Sequence, residues 1–145
     1  MINNLKSIYL SSWNLKSYME IETEVTCGYL YYDMYVVAGF YFSFSGVQCS
    51  ALLEKPTLRS KDSWLELIEA IKTRTLYDLD LVQGDGGIVC DGDDVIFYTT
   101  PSSGSDCNVK VLFKIPLDVY SDQCIKALND VIEHPLMQKA WNNQY

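Results

Sequence analysis

An interval in the second half of the chain has carboxylates as its only charged groups. No Lys or Arg lies between Arg74 and Lys110, and every acidic residue between them is an aspartate. The aspartates of this interval are Asp78, Asp80, Asp85, Asp91, Asp93, Asp94 and Asp106. Carboxylate oxygens in turns can bind Ca²⁺, and an acidic surface can attract a basic partner protein. Asp is also a good turn former, so solvated turns are a third interpretation.

The metal interpretation has the least support. Two neighbouring turns hold Asp85, Asp91, Asp93 and Asp94, so several of these carboxylates are expected to lie close together. An EF-hand loop needs acidic residues at its first, third and fifth positions and a Glu at its twelfth, and nothing here matches that pattern. We therefore predict no metal and no cofactor. Solvated turns remain the alternative to a partner-binding surface, whose candidate residues are Asp78, Asp80, Asp85, Asp91, Asp93 and Asp94.

Tyrosines are concentrated in one short segment and offer a second kind of binding chemistry. Five of the 11 tyrosines lie between positions 29 and 41. Strand alternation over residues 29–37 predicts that Tyr29, Tyr31 and Tyr35 share one face. Because Tyr and Trp are enriched at protein interfaces, these three residues or Trp141 are the candidate anchors for a partner. The alternative is that the rings cover a helix, with the phenols at its rim.

Nucleophilic catalysis is limited by histidine, because His134 is the only one in the chain. A Ser-His-Asp or Cys-His arrangement would have to use it. His134 precedes Pro135 at the predicted end of a helix, where the helix dipole favours a charged imidazole, so we predict that it caps this C-terminus. The glycines within residues 84–87 do not match a phosphate-binding loop. We predict no catalytic residue, which leaves a small enzyme as an alternative function.

Composition narrows the class of partner. The chain has 145 residues and a formal net charge of −8, with 19 acidic and 11 basic residues. Residues 75–145 hold 11 of the acidic residues and four of the basic ones, so the excess charge lies in the second half. Nucleic acid and anionic lipid both require clustered Lys and Arg, so direct binding to either is disfavoured. We predict a protein partner with a basic surface, and homo-oligomer formation is left open.

The cysteines and the apolar segments indicate an intracellular protein. The five cysteines are widely spaced without any Cys-x-x-Cys pair, so neither a disulfide scaffold nor a structural zinc site is predicted. No basic segment followed by an apolar run begins the chain, so we expect no signal peptide and a cytoplasmic location. Residues 34–53 are uncharged, but Phe40, Phe42 and Phe44 alternate with polar residues, which predicts a strand rather than a membrane helix.

Strand periodicity dominates the first half of the chain. Residues 19–25 alternate apolar or Thr side chains with Glu, which predicts a half-buried strand with an acidic outer face. Cys27-Gly28 is then expected to form a turn, and Gly39 a tight reversal or bulge. A third strand is expected at residues 40–45. Residues 47–53 either continue that strand past a bulge or form a separate one.

Two helices and a hairpin are predicted in the rest of the chain. Ser63 to Glu66 fits a capping box at the start of the first helix. The buried stripe of that helix is predicted to be Trp64, Leu67, Ile68 and Ile71. Asp91 to Asp94 predicts a hairpin with a type I′ turn. Ser121 is expected to cap a second helix that ends at His134-Pro135, and residues 136–141 to form a further helical turn.

These elements together predict an α+β fold. Hairpin-linked strands with helices at the segment ends indicate a single domain with a largely antiparallel sheet of about 6–8 strands and two main amphipathic helices. The order is three or four strands, a helix, three or four strands and a helix. Residues 1–74 and 75–145 therefore read as two pseudo-halves. A parallel crossover is expected only through the first helix.

The function expected from this reasoning is that of a small acidic intracellular protein that binds a partner and occludes a basic site on it. Two functional classes bind basic sites through complementary charge, which raises the association rate. They are toxin-neutralising immunity proteins and phage inhibitors of nucleic-acid-handling defence enzymes. The link is an analogy of charge and size. The alternatives are a small enzyme or small-molecule-binding domain with a pocket between sheet and helix, and a structural subunit of a larger assembly.

Overall fold

The computed structural model describes residues 5–9, 19–30, 33–44, 47–81, 86–99 and 110–142. The strands are β1 (Leu5–Tyr9), β2 (Met19–Leu30), β3 (Asp33–Phe44), β4 (Val47–Glu54), β5 (Leu76–Asp80), β6 (Gly86–Asp91), β7 (Asp94–Thr99) and β8 (Lys110–Pro116). The helices are α1 (Lys61–Thr73), α2 (Leu117–Ile132) and α3 (Pro135–Trp141), with a 3-10 turn at Pro56–Leu58. The predicted α+β class is confirmed.

The strands form two sheets. The larger sheet has the order β1-β8-β7-β6-β5, and the smaller has the order β2-β3-β4. Every pair is antiparallel except β1 with β8, which run parallel. The parallel pair joins the first and last strands of the chain, so the expectation of a crossover through the first helix alone is wrong. One strand from residues 1–74 therefore belongs to the sheet that residues 75–145 otherwise form.

The first hairpin is longer than the sequence pattern suggests. β2 and β3 pair along their whole lengths, and only residues 31–32 separate them. The predicted turn at Cys27-Gly28 is wrong, because both residues lie inside β2. Gly28 is paired with Tyr35, and a Cβ atom at Gly28 would come within 2.6 Å of the Tyr35 ring. The glycine therefore makes room for a ring that lies across it, a known way for aromatic residues to protect glycines in sheets.

Gly39 likewise lies inside a strand, paired with residues of both neighbouring strands. The predicted reversal or bulge at this position is wrong. A Cβ atom at Gly39 would be 2.9 Å from the Tyr41 ring and 3.1 Å from a methyl group of Leu52, so the glycine accommodates two large side chains. β4 is a separate strand that returns alongside β3 after residues 45–46. This agrees with the second of the two interpretations of residues 47–53.

One hydrophobic core joins both sheets and the helices. Phe97 of the larger sheet contacts Phe40 and Phe42 of β3, with ring centroids 5.0 and 5.1 Å apart. Phe42 also contacts Phe113, at 5.4 Å. The predicted stripe of α1 is buried in the same core, at Trp64, Leu67, Ile68 and Ile71. The larger sheet therefore has a core face, packed on the smaller sheet and the helices, and an opposite face, which we call the outer face.

Both long helices begin earlier than predicted. The N-cap of α1 is Ser60, whose Oγ accepts the Ser63 N–H at 3.2 Å, so the prediction of Ser63 as the cap is wrong by one turn. Capping at Ser60 provides the same kind of side-chain hydrogen bond and adds one turn to the helix. α2 begins at Leu117 rather than near Ser121, and Tyr120 just before Ser121 has a non-helical φ of −116°. Burial of Leu117 in the core favours this extra turn.

The hairpin predicted around Asp91 and Asp94 is present between β6 and β7. Gly92 has a φ of +97°, whereas Asp93 has no positive φ. A type I′ turn needs a positive φ at both central positions, so this turn is not type I′. The prediction of type I′ is wrong because the Asp-Gly pair occupies the first and second turn positions rather than the two central ones.

Candidate functional site

The outer face of the larger sheet carries most of the predicted aspartates. Its residues, assigned by strand register, are Leu76, Asp78, Asp80, Val89, Asp91, Asp94, Ile96, Tyr98, Lys114 and Pro116. Each of these side chains is half-buried or exposed. Their neighbours on the core face, such as Leu79, Ile88 and Phe97, are buried. Because the helices and the smaller sheet pack on the core face, no element among the described residues covers the outer face.

A half-buried apolar strip runs through the middle of this face. It consists of Val89, Ile96 and Tyr98, and Val89 pairs directly with Ile96. Asp78 is the direct neighbour of Val89 on β5, and Lys114 is the direct neighbour of Ile96 on β8. An apolar and aromatic centre with a charged rim is the arrangement typical of protein interfaces.

Tyr98 reaches across β6 to a carboxylate on β5. Asp80, Gly87 and Tyr98 are direct cross-strand neighbours, and the Tyr98 phenol donates a hydrogen bond to Asp80 Oδ1. A Cβ atom at Gly87 would lie 2.6 Å from the Leu79 carbonyl oxygen and 2.7 Å from the phenol oxygen, so only glycine fits. Arg59 Nη1 donates to the Asp80 carbonyl oxygen at 2.9 Å. Burial and the hydrogen bond to Asp80 raise the pKa of Tyr98, which keeps the phenol neutral.

Four carboxylates gather where the β6–β7 turn meets α2, and we call Asp91, Asp93, Asp94 and Asp118 the acidic corner. Asp91 Oδ1 accepts the backbone N–H groups of Asp93 at 2.9 Å and Asp94 at 2.7 Å, so this side chain shapes the turn. The Leu117 N–H donates to the Asp93 carbonyl oxygen at 2.9 Å. That bond brings the first turn of α2, and with it Asp118, to the hairpin.

The acidic corner has a negative electrostatic field. Arg74 lies 3.2 Å from Asp118, but Asp118 is 91% exposed, and a pair so open to water is weak. Burial raises the pKa of Asp94, and the neighbouring Asp91 carboxylate raises it further, whereas Lys114 lowers it. A cation that approaches a carboxylate with like-charged neighbours stabilises its ionised form.

The two groups of aspartates lie at opposite ends of the sheet. Asp80 is the last residue of β5, whereas Asp91 pairs with Leu76, the first. Four residues of strand separate these ends, which is about 13 Å. Of the four carboxylates expected to converge, Asp91, Asp93 and Asp94 lie together in the β6–β7 turn, and the expectation for Asp85 stays a prediction. Asp85 and Asp106 lie outside the described residues, within which no group of three His, Cys, Asp or Glu could hold a metal ion.

Positions 29 and 35, two of the three predicted tyrosine anchors, do not share a face. Tyr29 pairs with Met34, and Tyr35 pairs with Gly28. Directly paired residues of antiparallel strands belong to the same face, so positions 29 and 35 belong to opposite faces. The prediction of one face for positions 29 and 35 is wrong because residues 29–37 belong to two antiparallel strands rather than one. Tyr31 lies outside the described residues.

Trp141 and His134 both have structural partners. Trp141 is half-buried, and its indole N–H donates to the Arg59 carbonyl oxygen at 2.9 Å, so its ring takes part in packing. His134 is the N-cap of α3, where its Nδ1 accepts the Leu136 N–H at 3.1 Å. The prediction that it caps the C-terminus of the preceding helix is wrong, because Pro135 begins a new helix at once and the imidazole serves that helix.

Burial makes the phenol of Tyr77 and the thiol of Cys49 weaker acids than usual. The phenol of Tyr77 donates to Glu66 at 2.9 Å, and burial followed by this hydrogen bond raises its pKa. Burial raises the pKa of Cys49 to about 11, so its thiol is protonated at neutral pH. Within the described ranges, no Ser, Thr or Cys side chain is hydrogen-bonded to a carboxylate or an imidazole. Among the described residues, therefore, the Ser, Thr and Cys side chains lack the adjacent base that activates such a nucleophile.

Two depressions lie on or beside the smaller sheet. The first is an apolar crevice between the sheets, lined in part by Met19, Phe42 and Phe113, with a volume of about 10 Å³, which is too small for an organic ligand. The second is open to solvent, has a volume of about 360 Å³ and is lined in part by Glu22 and Ser50. Small-molecule sites usually enclose most of their ligand, which neither depression does.

Sequence reasoning missed the apolar strip and one member of the acidic corner. Residues 95–98 are Val-Ile-Phe-Tyr, apolar on both faces of a strand, and this is a signal that the second face is used. Asp118 follows Asp94 by 24 positions and offers no such signal. Only the packing of α2 against the hairpin brings these two carboxylates near each other.

Comparisons with known proteins give no match: none is found among protein-family models, curated proteins or solved structures. Function must therefore be inferred from the site. Among the residues that the structure describes, no helix has both the length and the apolar character needed to cross a membrane.

Proposed function

We propose that this chain binds a partner protein through the outer face of the larger sheet and thereby occludes a basic site on that partner. One observation carries the proposal: the apolar strip of Val89, Ile96 and Tyr98 lies between carboxylates on a face that no described element covers. The biological setting that we propose is an intracellular inhibitor of the immunity-protein or phage anti-defence kind, on grounds of charge and size.

The two parts of the face have separate roles in this proposal. The aspartates of β5 and the acidic corner attract Lys and Arg groups over a distance, which raises the association rate and aligns the partner. The apolar strip then loses its contact with water when the partner covers it, which supplies favourable free energy. A basic site covered in this way is no longer free to bind phosphate.

The test compares two triple variants that change the net charge equally. The first is Asp78→Asn with Asp93→Asn and Asp94→Asn, on the outer face and the acidic corner. The matched control is Glu20→Gln with Glu22→Gln and Glu24→Gln, on the exposed face of β2. Each variant and the unchanged chain are used as tagged bait in cells that express the native partner. The affinity of the captured protein is then measured by calorimetry at low and high salt.

We expect the first triple variant to weaken binding about tenfold at low salt, because each exposed charge pair contributes about 0.5 kcal/mol. The salt dependence should become shallower with it. The glutamine control should bind as the unchanged chain does. Equal affinities for all three proteins, or equal losses in both triple variants, would contradict the proposal, because charge at this particular face would then not matter.

A further inference from the structure

The strand β5 forms an edge of the larger sheet, and among the described residues only Arg59 hydrogen-bonds to the backbone groups on its outward side. The Leu81 N–H donates to the Gly86 carbonyl oxygen at 2.9 Å. Together with the β5–β6 register, this bond shows which residues of β5 form hydrogen bonds to β6. Odd-numbered residues therefore bond to β6, and Leu76, Asp78 and Asp80 direct their N–H and carbonyl groups away from the sheet. The hydrogen bond from Arg59 to the Asp80 carbonyl oxygen agrees with this, because that carbonyl points away from β6.

The open part of the edge is centred on Asp78. Within the described residues, no hydrogen bond occupies the outward N–H or carbonyl group of Asp78, whereas Arg59 occupies the carbonyl of Asp80. The side chains of Asp78 and Asp80 are exposed, and Leu76 is 76% exposed. An edge with unpaired backbone groups is a template for an added strand.

Charge decides which strand this edge accepts. If a second copy of the chain paired its own β5 here with full overlap, Asp78 would lie opposite Asp78 of that copy, and like charges directly opposite each other are destabilising. A strand with Lys or Arg at alternate positions places a positive charge opposite each aspartate instead. The same side chains therefore disfavour self-pairing and favour a basic strand.

We propose that β5 accepts an extended, Lys- or Arg-rich segment of the partner as an added strand, centred on Asp78. This inference rests on the proposed function and specifies how the partner binds. The added strand would continue the outer face beyond β5, with its basic side chains beside Asp78 and Asp80. Backbone hydrogen bonds then supply affinity, and the aspartates select the sequence.

The decisive comparison is between Asp78→Pro and Asp78→Asn in the full-length chain. Both remove the charge, but only proline removes the outward N–H, and it leaves the β5–β6 ladder intact because residue 78 does not donate to β6. The probe is a fluorescein-labelled peptide of seven alternating lysines and valines, followed by anisotropy. A peptide with glutamate in place of lysine is the control and should not bind.

We expect Asp78→Asn to weaken peptide binding about twofold, as for one exposed ion pair. Asp78→Pro should weaken it about tenfold more, because it removes a backbone donor and obstructs the strand. As a measurement that needs no variant, amide hydrogen exchange at Asp78 in the unchanged chain should slow when the lysine peptide is added. The exchange readout decides the matter if the proline variant fails to fold.

Failure of this inference is distinguishable from failure of the proposed function. If the two Asp78 variants bind equally and the Asp78 amide exchanges at the same rate with and without peptide, strand addition is overturned. The charge-dependent capture of the native partner could still hold in that case. If the outer-face triple variant captures the partner as well as the glutamine control does, the proposed function itself fails.

Discussion

Replacing Gly87 by alanine should destabilise the protein far more than replacing Gly28. Each glycine lies opposite a tyrosine whose ring crosses it. At Gly28 the three atoms nearest to the added methyl group all belong to the Tyr35 ring and its hydroxyl, the far end of a movable side chain. At Gly87 it would meet the phenol of Tyr98 and also the backbone carbonyl of Leu79, at 2.6 Å. The carbonyl cannot yield, because Leu79 is fully buried in the core.

The size of the effect follows from three contributions. Overpacking against the Leu79 carbonyl should cost about 2 kcal/mol. Displacement of the Tyr98 ring should remove its hydrogen bond to Asp80, which we set at about 1 kcal/mol for a half-buried group. The smaller conformational freedom of alanine in the unfolded chain returns about 0.5–1 kcal/mol. Gly87→Ala should therefore lose about 2 kcal/mol of folding free energy, and Gly28→Ala less than about 1 kcal/mol.

Urea unfolding measures these contributions. The proteins compared are the unchanged chain, the two alanine variants, Tyr98→Phe and the Gly87→Ala/Tyr98→Phe double variant. A loss of about 2 kcal/mol lowers the Tm by about 4–8 °C in a chain of this size. The double variant should lose less than the sum of the single losses, because removing the phenol oxygen relieves one of the two close contacts. Equal losses at Gly28 and Gly87 would refute the reasoning, since the buried carbonyl would then have no effect.

Three further changes test individual contacts. Asp91→Ala removes the acceptor of two turn N–H groups and should cost about 1–2 kcal/mol in urea unfolding, whereas Asp91→Asn, which keeps an acceptor, should cost less. The folded-state pKa of Asp94 is raised by burial, so its contribution to stability is lost as pH rises. Asp94→Asn should therefore raise the Tm at pH 7 and give no gain below the ordinary Asp pKa of about 4. Trp141→Phe breaks the bond to the Arg59 carbonyl and should cost about 1 kcal/mol without changing partner affinity; lost affinity at unchanged stability would mark Trp141 as an anchor after all.

Features set by neighbouring residues in the chain could be predicted from the sequence. The strand at residues 19–25, the stripe of α1 and the hairpin at residues 91–94 all appear in the structure. Each follows from a local rule: a period of two places alternate residues on one face, a spacing of three and four forms a helical stripe, and Asp-Gly favours a turn. The two turns predicted at Gly28 and Gly39 are wrong, because these glycines lie inside strands and accommodate large neighbouring side chains.

The candidate site was only partly predictable, because its charge is a local property of the sequence whereas the grouping of its residues depends on contacts between distant segments. The concentration of aspartates between positions 75 and 109 is visible in the sequence. Their division into two groups at opposite ends of the larger sheet depends on the course of β5, β6 and β7. The addition of Asp118 depends on where α2 begins.

The sequence by itself determined the α+β class, the apolar faces of most elements and the position of the excess charge, because burial periodicity and charge are properties of neighbouring residues. Only the tertiary structure decided that two sheets share one core, that positions 29 and 35 belong to opposite faces, and that Val89, Ile96 and Tyr98 lie among the carboxylates on a face that no described element covers. The physical reason is that alternation assigns a residue to one side of its own strand. Which side meets the core, and which strands become neighbours, depends on where the chain reverses and on packing between distant segments.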